Sequence, residues 1–304
     1  MKAGQIYAKT MKFVWLKLGI GALIAGISLV LLAIVVGISL LANSGELLLV
    51  LGLIWYILTY GIFRAVMHYM GYLIKAAHIA VVSEAVTTGV IPENMVQVGK
   101  DMVKSRFATS NVYIVLDKLV GGAVKQLQKA VGSVGSLLGD IPGIGAIVNI
   151  LQMFIGIALG YIDECCLGYT FYKKDEKAFK AGCDGVVIYF QNTKHLLKSA
   201  VGTTAIVLGL SFVAWLIPFI IFGLIFGAIG VPFAWLFAAL IAIIIAAAIK
   251  SAFIDSYMMV KTMVSYMSVA PSTQITFNIY DKLCKLSSKF KQLFTKSQEE
   301  TATM

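Results

Sequence analysis

Apolar and polar positions alternate along this chain in long blocks, not residue by residue. Runs such as "IGALIAGISLVLLAIVVGISLL" and "FAWLFAALIAIIIAAAI" reach the ~20 apolar residues that a helix needs to cross a bilayer. Period-2 patterning is absent, so strands of a barrel are not indicated. In hydrocarbon each backbone amide must be paired within its own segment or a closed barrel, which leaves helices. The pattern predicts apolar helices over 13–42, 47–86, 202–229 and 232–263. The second ends where Gly89 and Pro92 break it, and a new helix starts at Pro92-Glu93. Residues 93–131 are amphipathic and basic, with Lys100, Lys104, Arg106, Lys118, Lys125 and Lys129. A glycine-rich apolar stretch, interrupted by Asp140 and Pro142, runs on to Tyr172, and a second amphipathic piece covers 173–200. Four regions follow: an N-terminal hairpin with a long extension (1–90), a central amphipathic and re-entrant or paired region (91–200), a C-terminal hairpin (201–271) and a basic tail (272–304).

Composition strengthens this picture. Of 304 residues, 59% are hydrophobic and only 13% charged, and the mean hydropathy is +0.88. Soluble domains carry about 25% charged residues, so too few charges are present to cover a water-facing surface. The expected class is an all-α, polytopic helical membrane protein. Lys2, Lys9, Lys12 and Lys17, the flank 173–198 and the tail are rich in lysine, while the links "NSGE" and "FGAIGVPF" hold neither Lys nor Arg. The positive-inside rule then puts both termini in the cytoplasm and both links outside, in an inner or plasma membrane, as two in–out–in hairpins. Residues 142–172 are long enough to cross once, yet basic segments flank them on both sides. A re-entrant or interfacial path satisfies both facts. The alternative crossing through "LVGGAVKQLQKAVGSVGSLLG" places Lys125 and Lys129 at roughly +2.5 to +3.5 kcal/mol each near the bilayer centre.

Ionisable groups on or near apolar helices supply the candidate chemistry. Arg64, His68, Gly71, Lys75 and His78 follow a 4-3-4-3 spacing and share one helical face. Either that face leaves the membrane and meets head groups, or it lines a polar cavity. Arg64, His68, Asp163, Glu164, Lys250 and Asp255 are the candidate polar lining, and salt bridges that fix helix ends are the structural alternative. Pro218 is expected to kink the third apolar helix. In the tail, Ile279, Leu283, Leu286, Phe290 and Leu293 fall on one face, with Lys282, Lys285, Lys289 and Lys291 largely elsewhere. Such a basic amphipathic helix is expected on an anionic cytoplasmic leaflet, where membrane lipids are its partners. The net charge of +10 is explained that way, and nucleic acid is not an expected partner because no stacking aromatics interleave with the lysines. The adjacent Cys165 and Cys166 are read as small apolar residues of a helix or as S-acylation sites. No Walker loop, HExxH or GxSxG is present, and His68, His78 and His195 lack metal-ligand company, so neither an enzyme nor a cofactor or metal is expected.

From about Ile150 onward the order of segments resembles that of choline-transporter-like membrane proteins. An apolar helix ends in "GYIDECC", and a basic segment "FQNTKHLLKSA" leads to an outward helix. An inward helix then ends in "KSAFIDSYMMVKTMVSYM". The resemblance implies an organic-cation or small-solute transporter with cytoplasmic termini. The expected function is passage of a small solute or ion as transporter or channel, by a homo-oligomer because the crossings are few. The competing expectation is a non-transporting membrane scaffold or remodelling protein that acts through its amphipathic helices.

Overall fold

The structure, a computed structural model, describes residues 1–107, 110–136, 160–276 and 278–302. Every regular element among them is helical. In chain order these are α1 (Ala3–Lys9), α2 (Met11–Leu41), α3 (Gly45–Thr88), α4 (Met95–Phe107) and α5 (Ser110–Ser136). There follow α6 (Ile162–Tyr172), α7 (Ala178–Gln191), α8 (Thr193–Ala228) and α9 (Ala234–Ile249). A π-helical turn (Lys250–Ile254) joins α9 to α10 (Asp255–Met267). The tail forms α11 (Asn278–Leu286) and α12 (Ser288–Ala302). Four helical segments are long and apolar enough to cross a membrane: Met11–Leu41, Gly45–Thr88, Thr204–Ala228 and Ala234–Ser272. The chain is a membrane protein on that ground. Residues 142–159, on which the expected re-entrant element chiefly falls, lie outside the described residues.

The chain folds as two units. An apolar unit comprises 11–75 and 207–256, and a polar unit comprises 1–10, 76–206 and 257–304. Among the described residues, the large hydrophobic side chains left exposed belong to the apolar unit, except Met1, Val90, Val96, Val115, Ile206 and Leu286. A surface of that kind is what hydrocarbon, not water, solvates.

Within the apolar unit, α2 and α8 end in the same way. Ser44 N–H donates to Ser39 O at 3.1 Å and Asn43 N–H to Leu40 O at 3.1 Å. In the other link Val231 N–H donates to Phe226 O at 2.9 Å and Gly230 N–H to Gly227 O at 3.2 Å. These are paired Schellman caps, and the residue after the helix adopts the left-handed conformation they need: Asn43 at φ 50° and Gly230 at φ 72°. Ser44 Oγ then accepts from Leu47 N–H at 3.2 Å and starts α3. Close packing holds the helices. Trp55 Nε1 donates to Ser28 O at 2.9 Å. The ring of Phe237 fills the space beside Gly52, and Ala248 fills the space beside Gly21. Leu32, Leu48, Trp55, Phe63, Phe237, Ile241 and Ile244 form the buried interior. The expected kink site, Pro218, lies within α8, which continues through it.

In the polar unit α6 and α7 approach so closely that a side chain at Gly185 would meet the Cys166 backbone at 3.1 Å. Tyr266 OH donates to Gly185 O at 2.9 Å and Ser83 OH to Gly168 O at 2.8 Å, both buried. Thr10 Oγ1 and His78 Nε2 lie 3.0 Å apart, likewise buried.

The tail differs from the single amphipathic helix expected. Ser287 interrupts it and caps α12, its Oγ accepting from Phe290 N–H at 3.0 Å. The restart turns Leu286 outward, at 53% exposure, while Tyr280, Leu283, Phe290 and Leu293 are buried. α12 packs on α5 and α7, so the tail's apolar face is covered by protein. Lys282, Lys285 and Lys291 are exposed and Lys289 is half-buried.

Candidate functional site

At one level of the apolar unit, Gly21 of α2, Phe63 of α3 and Ala248 of α9 meet in a layer with no room for a larger residue at position 21. The basic residues of this unit begin within about a turn of that layer and, with Asp255, form a collar at that end. Lys17 precedes Gly21 by one turn, and its ammonium donates to Ser256 Oγ at 3.0 Å. Lys17 is 6% exposed and Ser256 is fully buried. Lys250 follows Ala248 and pairs with Asp255 at 2.5 Å. Arg64 follows Phe63, His68 lies one turn further, and both are exposed.

The Lys250–Asp255 pair depends on the π turn. Residues five apart on an α-helix lie about 140° apart around the axis, too far to share a face. The i→i+5 turn over Lys250–Ile254 winds more slowly and brings the two side chains together, closed by Asp255 N–H donating to Lys250 O. Such turns recur at functional sites. Beside it, the Phe253 ring meets the exposed Trp15 edge-on, with centroids 5.7 Å apart. Trp is enriched at the boundary between hydrocarbon and head groups. Helix length agrees: Gly45 to Arg64 rises about 28 Å and Ala234 to Lys250 about 24 Å, close to the ~30 Å hydrocarbon thickness.

Of the six lining residues expected, Arg64, His68, Lys250 and Asp255 thus belong to the apolar unit at this collar. Asp163 and Glu164 belong to the polar unit, in the first turn of α6, where carboxylates complement the helix dipole. Glu164 is buried at 6% exposure, and Asp163 Oδ2 lies 3.4 Å from where a side chain at Gly121 would begin. Lys17 and Ser256 were not among the expected residues. The signal for Lys17 was its position inside the apolar run, but it reads equally as a flanking charge.

A second polar cluster, also unforeseen, ties the tail to the polar unit. Asp184 of α7 is buried and accepts from Lys180 Nζ at 2.5 Å and from Tyr280 OH. Burial and the Asp184 carboxylate push the Tyr280 hydroxyl far above its usual range, so it remains a donor. Gln126 Oε1 accepts from Ser287 OH at 2.7 Å and from Lys289 N–H at 3.0 Å. Glu300 accepts from Phe179 N–H at 2.9 Å and caps the first turn of α7. Arg106 donates to Lys173 O at 3.0 Å, and burial lowers its pKa while Glu300, Glu176 and Asp175 oppose that shift.

Cys165 and Cys166 are fully buried, and burial raises both thiol pKa values well above normal. Thiolate, the nucleophile S-acylation needs, is suppressed there. Among the described residues no three His, Cys, Asp or Glu side chains gather as a metal site would require.

Compared with family models, curated proteins and solved structures, the chain matches none.

Proposed function

We propose that this protein is a non-transporting membrane scaffold. Its apolar unit is anchored in an inner or plasma membrane, and the polar unit, with both termini, is in the cytoplasm. The carrying observation is the composition of the apolar unit's interior. Leu32, Leu48, Trp55, Phe63, Phe237 and Ile241 fill most of it, with the small hydroxyl residues Ser28, Ser39 and Thr59 among them, and its basic residues and Asp255 gather at one end while Glu46 lies at the opposite link. Transporter sites commonly lie at the bilayer midplane, between interrupted helices. The exposed Lys282, Lys285 and Lys291 offer charge to an anionic leaflet. Because the apolar face beneath them is occupied by α5 and α7, contact with lipid is electrostatic and not inserted. No catalytic step is part of this reading.

The collar favours a second reading. Buried or membrane-level ionisable residues mark solute and ion paths, and Lys17, Lys250 and Asp255 are such residues, with Ser256 accepting from Lys17. An organic cation is the solute that the resemblance to choline-transporter-like proteins implies. Passage would need several copies of the chain to complete a polar route.

Proteoliposomes containing phosphatidylglycerol separate the two. The scaffold reading expects ion and choline flux no greater than in protein-free liposomes. It also expects tethering of added anionic vesicles, seen by light scattering and abolished by combining Lys282→Glu, Lys285→Glu and Lys291→Glu. Flux above the protein-free level that Asp255→Asn removes would overturn it in favour of transport.

A further inference from the structure

We infer that the collar of the apolar unit binds the phosphate of anionic phospholipids; this rests on the membrane-anchored reading above. Charge distribution is the first ground. The apolar unit carries Lys12, Lys17, Arg64, Lys75 and Lys250, all toward the end where the collar lies. Its acidic residues are Glu46, at the opposite link, and Asp255. Within this unit, five basic residues and one acidic residue therefore lie toward the collar end.

Donor geometry is the second ground. Arg64 is exposed, and a guanidinium presents five N–H donors in a fork that matches phosphate oxygens. The Lys250 side chain is 42% exposed and engages Asp255 with one of its three possible donors, leaving capacity for an additional acceptor. The π turn gives the ammonium its place. It holds Lys250 against Asp255 at the level of Phe253 and Trp15 instead of letting it extend freely along the helix. Behind them Lys17 is buried and donates to Ser256 Oγ at 3.0 Å. An anionic phospholipid at this depth would lay its acyl chains on the exposed apolar helices and bring its phosphate to the level of Arg64 and Lys250. Basic residues at the membrane surface attract anionic head groups, each contributing about 1 kcal/mol.

The test uses the full-length protein in neutral detergent, with phosphatidylglycerol or phosphatidylcholine added and lipid retention read by native mass spectrometry. Phosphatidylglycerol is expected to be retained over phosphatidylcholine. The double variant Arg64→Gln, Lys250→Gln should weaken that retention about thirtyfold, as two surface cations imply, and Lys250→Arg should preserve it. The tail variant with Lys282→Glu, Lys285→Glu and Lys291→Glu should also preserve it. Equal retention by wild type and the double variant overturns the proposal, as does its loss in the tail variant. Competition by millimolar inorganic phosphate would show a free-anion site and overturn the lipid source. Alkaline carbonate extraction of wild-type membranes keeps the two layers apart. A protein that washes off refutes the anchored reading itself, whereas one that stays in the pellet without lipid preference refutes only this proposal.

Discussion

Gly21 faces a neighbour that cannot retreat. A Cβ there would lie 2.6 Å from the Ala248 Cβ and 3.3 Å from its Cα, so backbone must move to admit it. Gly26, one and a half turns along the same helix, has nothing within 4 Å of its Cβ position. Gly21→Ala should therefore destabilise the detergent-solubilised protein by about 1–3 kcal/mol through overpacking. Gly26→Ala should be neutral, or stabilising by up to about 1 kcal/mol from helix propensity. Thermal unfolding of the two variants side by side checks the difference. Equal melting temperatures would contradict the packing described for α2 and α9. Close approach of this kind is a common use of small residues in membrane helices, and here it sets the level of the collar.

At the scale of elements, the docked tail makes the sharpest claim. Tyr280 is the point where α11 meets α7, and its hydroxyl serves the buried Asp184. Tyr280→Phe removes a hydrogen bond to a charged group, a loss of about 1.5–3 kcal/mol. Limited proteolysis should then cut within 278–302 faster than in wild type, while helicity by circular dichroism stays close to unchanged. An unchanged cleavage rate would show that the tail is not held through Asp184. Much at this scale was legible in the sequence. The ends of α2 and α3 follow from the "NSGE" link, Gly89 and Pro92, which act locally. The break at Ser287 was not legible, because serine sits in helix interiors as well as at caps and the apolar spacing continues past it. Nor was the π turn, since nothing in "KSAFI" distinguishes i→i+5 from i→i+4 bonding. Its consequence, Lys250 meeting Asp255, could not be read from a 3.6-residue period. Lys17 and Ser256 are 239 positions apart, and no local pattern announces a pairing at that distance.

For the whole molecule, the division of exposed apolar side chains carries the most weight. Long hydrophobic runs make the membrane class plain in the sequence, and the four apolar helices agree with it. What the sequence did not show is that the amphipathic segments would fold onto one another. Residues 93–131 and the tail present apolar faces that could equally lie on lipid, and only tertiary contact reveals that α5 and α12 cover each other. The amphipathic pattern measures the need for an apolar partner and does not say which partner meets it. An account with the apolar unit in the bilayer and the polar unit in the cytoplasm fixes the side on which each exposed position lies. Single-cysteine variants in a background lacking Cys165, Cys166, Cys183 and Cys284 report that side directly, using a membrane-impermeant maleimide on intact cells. Ala42→Cys, in the first link, should be labelled without permeabilisation, and Gln292→Cys, exposed on α12, only after it. Labelling of Gln292→Cys in intact cells, or protection of Ala42→Cys, would contradict the account.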